Sequence, residues 1–219
     1  MSVFVAIEGP DGVGKSTLAA NLAAAYKQRG NFIRFPRRDG PFAAAIYGHL
    51  VPDPDDCECT GALDPTAFAL LNAADRRDSM SHEWNIAETK DVLVTDRYMF
   101  SGIAYAIAAG VDSSFAVQIE RCQYKPDLVI YLELPLDEAQ RRIAKRNERT
   151  GSDSAPLAIE AEAHQKRVVH GFEAAFAAYP DVRVMRMDAL LPEDALTTAA
   201  LLAIDCANTE KYEINTPGD

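Results

Sequence analysis

Short runs of β-branched residues alternate along this chain with longer segments in which apolar residues recur at helical spacing. This alternation is typical of a parallel sheet whose strands are joined by helices. The predicted strands are 3–7, 32–35, 91–95, 128–132 and 182–187. The predicted helices are 15–29, 42–50, 65–87, 101–109, 113–123, 135–149, 158–179 and 192–207. We therefore expect an α/β fold, a doubly wound five-stranded parallel sheet with helices on both faces.

The pattern indicates one domain over residues 1–207, with polar breaks but no internal repeat. Residues 51–62 contain two prolines and four acidic residues, and this composition predicts a solvated loop. Residues 151–156 form a second polar break. The last segment, 208–219, is expected to be a flexible tail.

Composition and charge argue against some classes of function. The 219 residues carry a net charge of −11, and proteins that coat nucleic acid rely on a basic surface, so we expect no nucleic-acid partner. No apolar run approaches the ~20 residues that span a bilayer, and the N-terminus lacks the basic start of a signal peptide. The four cysteines, at 57, 59, 122 and 206, are expected to be free thiols. These observations predict a cytoplasmic protein with no membrane association.

A glycine-rich motif follows the first predicted strand and opens the first predicted helix. Residues 9–16 have the sequence G-P-D-G-V-G-K-S, which matches the phosphate-binding loop. In such a loop, backbone N–H groups and the helix N-terminus face phosphate oxygens. Lys15 is expected to reach the transferring phosphate, and Ser16 to bind Mg²⁺. The predicted ATP-binding residues are Gly9, Gly12, Val13, Gly14, Lys15, Ser16 and Thr17.

A second motif, Asp96-Arg97, ends the third predicted strand. A carboxylate at this place is expected to orient Mg²⁺ or its water ligands, so Ser16 and Asp96 are the predicted metal ligands. Doubly wound folds bind their ligands at the edge of the sheet where the C-terminal ends of the strands lie, and Asp96-Arg97 is at such an end. A glutamate after the aspartate would indicate activation of water by an ATPase, whereas an arginine favours a clamp for a second phosphate.

Five separated motifs resemble those of thymidylate kinases, in order and in spacing, over about the first 135 residues. They are Asp11 in the loop, F-P-R-R at 35–38, L-L-N-A-A-D-R at 70–76, Asp96-Arg97-Tyr98 with Ser101 and Tyr105, and K-P-D at 125–127. The amino-acid sequences of these motifs are most similar to those of the eukaryotic-like branch of the family. The resemblance implies transfer of the ATP γ-phosphate to a pyrimidine deoxynucleoside monophosphate with Mg²⁺, a lid at about 141–157, and possible homodimers, because relatives often dimerise.

The resemblance also implies roles for individual residues. Arg38 and Arg97 would clamp the acceptor phosphate, although Arg37 beside Arg38 leaves that assignment open between the two. Asp11 would contact the sugar 3′-hydroxyl, and Tyr105 would pack where a 2′-hydroxyl would sit. The base would be contacted by Arg76, with Ser101 and Gly102 near its edge.

The chain departs from the family pattern at the base. Where the family has a phenylalanine that stacks on thymine, this chain has Asn72, and Phe68 lies one helical turn earlier on the same face. Two interpretations stay open: Asn72 faces the base and favours a polar group on it, or Phe68 takes over the stacking while Asn72 hydrogen-bonds nearby backbone.

A second departure from the family pattern concerns the position of an arginine that takes part in catalysis. Val13 stands in the loop where some relatives have an arginine, so the arginine is expected from the basic end of the 135–149 helix, with Arg146 and Arg149 as candidates. The predicted catalytic residues are therefore Lys15, Arg97, Asp11, Arg146 and Arg149.

The leading functional hypothesis is ATP-dependent phosphorylation of dTMP to dTDP. One alternative, motivated by Asn72, is a kinase for dUMP or a 5-modified pyrimidine deoxynucleotide. An alternative of a different class is a P-loop ATPase or switch module, which would turn over ATP without an acceptor.

Overall fold

Five parallel strands form the central sheet in the order β2-β3-β1-β4-β5. The computed structural model describes residues 2–50, 63–87, 90–150 and 162–215. The strands are β1 (Val3–Glu8), β2 (Gly30–Arg34), β3 (Val92–Asp96), β4 (Leu128–Glu133) and β5 (Arg183–Asp188). The central place of β1 brings the glycine-rich loop that follows it beside the ends of β3 and β4, where Ile7 pairs with Asp96.

Helices cover both faces of this sheet. They are α1 (Lys15–Tyr26), α2 (Ala43–Leu50), α3 (Pro65–Ala87), α4 (Met99–Ala108), α5 (Ser113–Glu120), α6 (Leu136–Thr150), α7 (Glu162–Ala178) and α8 (Glu193–Asn215). The predicted fold class is confirmed, and most predicted boundaries that fall within the described residues agree with the structure to within three residues.

The side chains of β1 divide the core into two layers. Phe4 and Ala6 point into a cluster with residues of α3, α4, α5 and α7. Val3, Val5 and Ile7 point to the opposite face, where α1 and α8 pack. Because both faces of β1 are covered, its sequence is continuously apolar up to the last residue, Glu8.

The junction between α1 and β2 differs from the prediction. The sequence predicts a helix over 15–29 that ends before Gly30, but the α-helix ends at Tyr26 and a 3₁₀ turn spans Lys27–Arg29. Gly30 instead begins β2, where it pairs with Val92. The pairing with β3 therefore decides the conformation of this glycine, and the helical pattern does not.

The predicted flexible tail is wrong over residues 208–215, because α8 continues to Asn215. Ala203, Ile204 and Ala207 bury the helix against the sheet. Farther along, the Lys211 ammonium pairs with Asp127 and donates to the carbonyl of Ser2. Residues 216–219 lie outside the described residues.

Several other predictions concern residues outside that part of the chain. They are the loop 51–62 with Cys57 and Cys59, and the break 151–156 within the lid. Cys122 and Cys206 are free and exposed, as expected. Among the described helices, none combines the length and apolar character needed to cross a membrane.

We expect Lys211→Met to loosen the end of α8. The Lys211 Nζ lies 2.6 Å from an Asp127 oxygen that also accepts from the backbone N–H of Phe4. Since the Lys211 side chain is partly exposed, the free energy of unfolding should fall by no more than about 1 kcal/mol. Amide hydrogen exchange over residues 208–215 should accelerate, because the helix end loses an anchor.

Lys211→Arg is the matched control, since it keeps the charge and should retain most of the protection. Unchanged exchange over 208–215 in Lys211→Met would show that the apolar contacts alone hold the end of the helix.

Candidate active site

The glycine-rich loop is pressed against neighbouring backbone. Gly9 and Gly12 have positive φ angles of 143° and 83°. A Cβ on Gly9 would lie 2.7 Å from the carbonyl oxygen of Leu132, and one on Gly12 would lie 2.6 Å from that of Ala139. Only glycine fits both the conformation and the space at these two positions. Gly14 also has a positive φ, and Val13 is buried in the core.

Lys15 points back into the curl of this loop. Its Nζ donates to the carbonyl oxygens of Gly9, at 2.8 Å, and Pro10, at 2.5 Å. Burial, and secondly the charge of Arg97, lower the pKa of Lys15 to about 7, against the opposing carboxylates of Asp11 and other neighbours. Phosphate oxygens beside Nζ would favour its charged form. Thr17 is exposed in the first turn of α1 behind it.

The two predicted metal ligands meet although 80 residues separate them. The Ser16 hydroxyl donates to Asp96 Oδ2 at 2.6 Å. The other carboxylate oxygen, Oδ1, is buried and has no hydrogen-bond partner among the described residues. A hydroxyl and a carboxylate with an unused lone pair are the hard oxygen donors that Mg²⁺ prefers, so this pair fits the ion.

Asp11, Arg97 and Tyr105 form a connected polar cluster beside the loop. The Arg97 guanidinium pairs with Asp11 Oδ1 and lies over the Tyr105 ring, 5.2 Å from its centre. The Tyr105 hydroxyl donates to Asp11 Oδ2 at 2.7 Å. Burial opposes ionisation of Asp11, but the charges of Arg97 and Lys15 outweigh it and hold the pKa of this carboxyl well below its usual range. Three of the predicted acceptor-site residues are thus brought together.

Glu8 is a site residue that the sequence analysis missed. Its buried carboxylate accepts hydrogen bonds from the backbone N–H groups of Tyr98, at 3.0 Å, and Ser101, at 3.1 Å, and from the Ser101 hydroxyl. It therefore caps the N-terminus of α4, the helix that carries Tyr105. Burial raises the pKa of Glu8 in spite of these bonds. A charged residue at the end of an otherwise apolar strand was the signal in the sequence.

The structure distinguishes the two neighbouring arginines after β2. Arg37 is committed to structure: it pairs with Asp39 at 2.9 Å and with Glu83 at 3.1 Å. Arg38 lies over the Tyr47 ring, 5.3 Å from its centre, and pairs with no carboxylate of the described residues. This favours Arg38 as the residue available for a phosphate.

On the base side, Arg76 forms a buried ion pair with Glu120, a partner that the sequence analysis did not identify. Gly102 packs directly against this pair. The Asn72 amide donates to the carbonyl oxygen of Phe68 at 2.9 Å, as the second interpretation expects of Asn72, while the stacking role of Phe68 stays a prediction.

The Phe68 ring in turn contacts the His49 ring, with centroids 4.2 Å apart. The predicted stacking residue therefore has an aromatic neighbour on α2.

The basic end of α6 is described only as far as residue 150. Arg141 and Arg142 both pair with Glu138, and Arg142 also donates to the carbonyl oxygen of Ala189. Arg146 contacts Asn147, while Arg149 is exposed. The remaining part of the lid lies outside the described residues, so the role of Arg146 or Arg149 stays a prediction.

Helix α7 also reaches the site, through residues to which the sequence pattern gave no role. Gln165 is fully buried, and its side-chain oxygen accepts from the backbone N–H of Asp11 at 3.0 Å. The adjacent His164 ring lies 6.0 Å from the Tyr105 ring. No local spacing indicates these contacts, because they join residues more than 50 positions apart.

The amino-acid sequence of this chain is similar to those of known proteins. Residues 7–199 match the family model described as thymidylate kinase. A probable thymidylate kinase of Thermococcus gammatolerans is 33% identical over 189 residues, covering 84% of this chain and 88% of that protein. The thymidylate kinase of Gluconobacter oxydans is 33% identical over 211 residues, covering 92% and 94%.

The solved structure of thymidylate kinase from Candida albicans shares the fold. It superposes with a TM-score of 0.70 at 24% identity, covering 94% of this chain and 92% of that one.

We expect His164→Leu to reduce the loss of stability in acid. Burial, and secondly the charge of Arg167, lower the pKa of His164, against Asp11. The Arg167 guanidinium lies 3.3 Å from Nδ1 and can only donate, so the native ring is neutral. The unfolded chain gains a proton as the pH falls through about 6.5, which costs native stability below that pH.

The measurement is urea unfolding at pH 7, 6 and 5. The drop in the free energy of unfolding should be smaller for His164→Leu than for the wild type. His82→Leu, at an exposed position of α3, should keep the wild-type pH dependence. Equal drops in His164→Leu and the wild type would contradict the neutral buried state.

Proposed function

Since this chain belongs to the thymidylate kinase family, we propose that it transfers the γ-phosphoryl group of ATP to the 5′-phosphate of dTMP, giving dTDP and ADP. It is a nucleoside monophosphate kinase, as the family implies. The observation that carries the proposal is the contact between Asp11 and Arg97, because it joins the phosphate-binding loop to a second phosphate-binding group.

The donor side follows from the loop. Backbone N–H groups at the N-terminus of α1 bind phosphate oxygens, and Lys15 neutralises charge on the transferring group. Ser16 and Asp96 would hold Mg²⁺, which supplies charge neutralisation between the phosphates when it is bound. Lys15 has two carbonyl oxygens as partners, so its hydrogen bonds hold Nζ at the mouth of the loop.

The acceptor side follows from the cluster around Arg97. Guanidinium groups of Arg38 and Arg97 bind the 5′-phosphate in bidentate fashion and keep it in line with the donor. An oxygen of that phosphate forms the new bond to the γ-phosphorus, and the bond from the γ-phosphorus to the ADP oxygen breaks. Asp11 accepts a hydrogen bond from the 3′-hydroxyl, and the Tyr105 ring fills the place of a 2′-hydroxyl. This chemistry needs positioning and charge neutralisation, and it needs no covalent intermediate.

The base contacts support dTMP. Arg76 lies one helical turn after Asn72 on α3 and packs against Gly102 of α4, the helix that carries Tyr105. We assign Arg76, Gly102 and Phe68 to the base pocket. Because the amide of Asn72 is bonded to backbone, the observation that motivated a different pyrimidine is weakened.

The experiment that tests the function is ATP consumption against a panel of dTMP, dUMP, dCMP and dGMP, with a control that lacks an acceptor. We expect turnover to require an acceptor and to be fastest with dTMP. Lys15→Ala should lower kcat at least about 100-fold, the usual cost of losing a group that stabilises transition-state charge. Lys166→Ala, at an exposed lysine of α7, is the matched control and should behave as the wild type.

Two outcomes would overturn the proposal. ATP turnover that is equally fast without an acceptor would indicate an ATPase or switch module. Faster turnover with another monophosphate than with dTMP would replace the acceptor.

We expect neighbouring arginines to have different roles. Arg38→Ala should raise the KM for dTMP by about 10–100-fold, since a charged hydrogen bond contributes about 1.5–3 kcal/mol, with little change in the KM for ATP. Arg37→Ala should mainly lower Tm, because it removes the ion pairs with Asp39 and Glu83. Steady-state kinetics and thermal unfolding of the two variants provide the comparison, and the reverse pattern would exchange the two assignments.

A further inference from the structure

The buried ion pair between Arg76 and Glu120 joins α3 to the end of α5. The side chains are only 5% and 1% exposed. Arg76 Nε donates to Glu120 Oε2 at 3.2 Å, and Nη2 donates to Oε1, so the contact is bidentate. A guanidinium held through two parallel hydrogen bonds is fixed in both its position and the plane of its fork.

The surroundings of the pair leave it little freedom. A Cβ added to Gly102 would overlap both Glu120 Oε1 and Arg76 Nη2, so the backbone of α4 packs directly against the two charged groups. Beside them, the Gln123 amide donates to the carbonyl oxygen of Ala73 at 2.9 Å and ties the segment after α5 to α3. Groups of α4 and α5 therefore contact the Arg76 guanidinium, and the Gln123 bond holds the segment after α5 against α3.

We propose that Glu120 is a positioning residue that fixes the Arg76 guanidinium in the orientation in which it selects the base of the acceptor. This rests on the proposed function, which places Arg76 in the base pocket. Glu120 itself has no role in the reaction: it acts through Arg76, and it sets base specificity.

The chemistry of the guanidinium makes its orientation decisive. Arg76 has five N–H donors and no acceptor. Glu120 occupies the Nε proton and one Nη2 proton, which leaves three N–H donors, one on Nη2 and two on Nη1. A fixed edge made only of donors favours a base with a carbonyl oxygen, as in thymine or uracil, and disfavours the amino group of cytosine. An arginine that could swing aside would lose this discrimination against an amino group.

The cost of burial supports an orienting role over a stabilising one. Two charges removed from water gain little stability, and a buried ion pair can often be replaced by apolar side chains without loss. Gly102 would not be needed beside an apolar pair of smaller side chains. Apolar side chains cannot supply a hydrogen-bond donor of fixed direction in the base pocket.

The test is the ratio of kcat/KM for dTMP to that for dCMP. Glu120→Gln keeps the shape of the side chain and removes its charge. We expect this variant to lower the ratio about tenfold, since it replaces a charged hydrogen bond by a neutral one. The KM for ATP should stay within about threefold of the wild-type value. Glu173→Gln, at a surface carboxylate paired with Arg186, is the control and should keep the wild-type ratio.

A double-variant cycle shows whether Glu120 acts through Arg76. In an Arg76→Met background, the second change Glu120→Leu should leave the ratio where Arg76→Met alone has put it. Both proteins lack the positive charge at position 76. The double variant also lacks the buried carboxylate, so the double variant should fold. Thermal unfolding is recorded for every variant. Where Glu120→Gln does not fold, Glu120→Asp replaces it: the charge remains at shorter reach, and the ratio should still fall.

The outcomes separate this proposal from the proposed function. A wild type that turns over dCMP faster than dTMP would overturn both, and one that uses the two equally would overturn only the selection of the base by Arg76 and Glu120. A wild type that selects dTMP, with the same selection in folded Glu120→Gln or Glu120→Asp, would overturn only the role of Glu120. A further loss of selection on adding Glu120→Leu to Arg76→Met would also overturn it, because Glu120 would then act independently of Arg76.

Discussion

The ion pair between Asp11 and Arg97 is the interaction on which the architecture of the site depends. It links the loop after β1 to the turn after β3, two segments that the sheet places side by side. Arg97 adopts a left-handed backbone conformation, with φ of 67°, which costs a residue with a side chain about 1–3 kcal/mol. The ion pair, and the hydrogen bond from its backbone N–H to the carbonyl oxygen of Ile7, offset this cost. The loop after β1 and the turn after β3 are consequently held against each other by direct contacts.

In this protein of net charge −11, carboxylates lie directly against the cationic and polar groups of the site. Asp11 is opposite Arg97, Asp96 accepts from Ser16, and Glu8 lies beneath the start of α4. Each carboxylate fixes a neighbouring group by direct contact. Lys15 and Arg97 lie together beside the glycine-rich loop, so the net negative charge of the whole chain does not exclude an anionic ligand there.

Sequence reasoning was most successful where function needs neighbours in the chain. The glycine-rich loop, the strand before it and the helix after it lie within about 25 residues, so their spacing alone predicts them. It failed where long-range contacts decide. Glu120 reaches Arg76 from 44 residues away, and Gln165 reaches Asp11 from 154. The end of α8 looked polar and unstructured, yet Lys211 finds Asp127 across the fold. Neither local secondary-structure propensity nor the spacing of residues along the chain predicts such long-range contacts.

Under the proposed function, the base pocket would select its base without the aromatic residue that the family has at position 72. Stacking on a ring is tolerant, because every base presents a π-face and gains similar dispersion energy. This chain has Asn72 at that position, bonded to backbone, with Phe68 one turn earlier on α3 and the His49 ring of α2 against Phe68. A fixed donor edge distinguishes a carbonyl from an amino group, since the wrong partner leaves buried donors unpaired. Under the proposed function, loss of the ring would weaken affinity for all pyrimidines alike, whereas release of Arg76 would remove the difference between them.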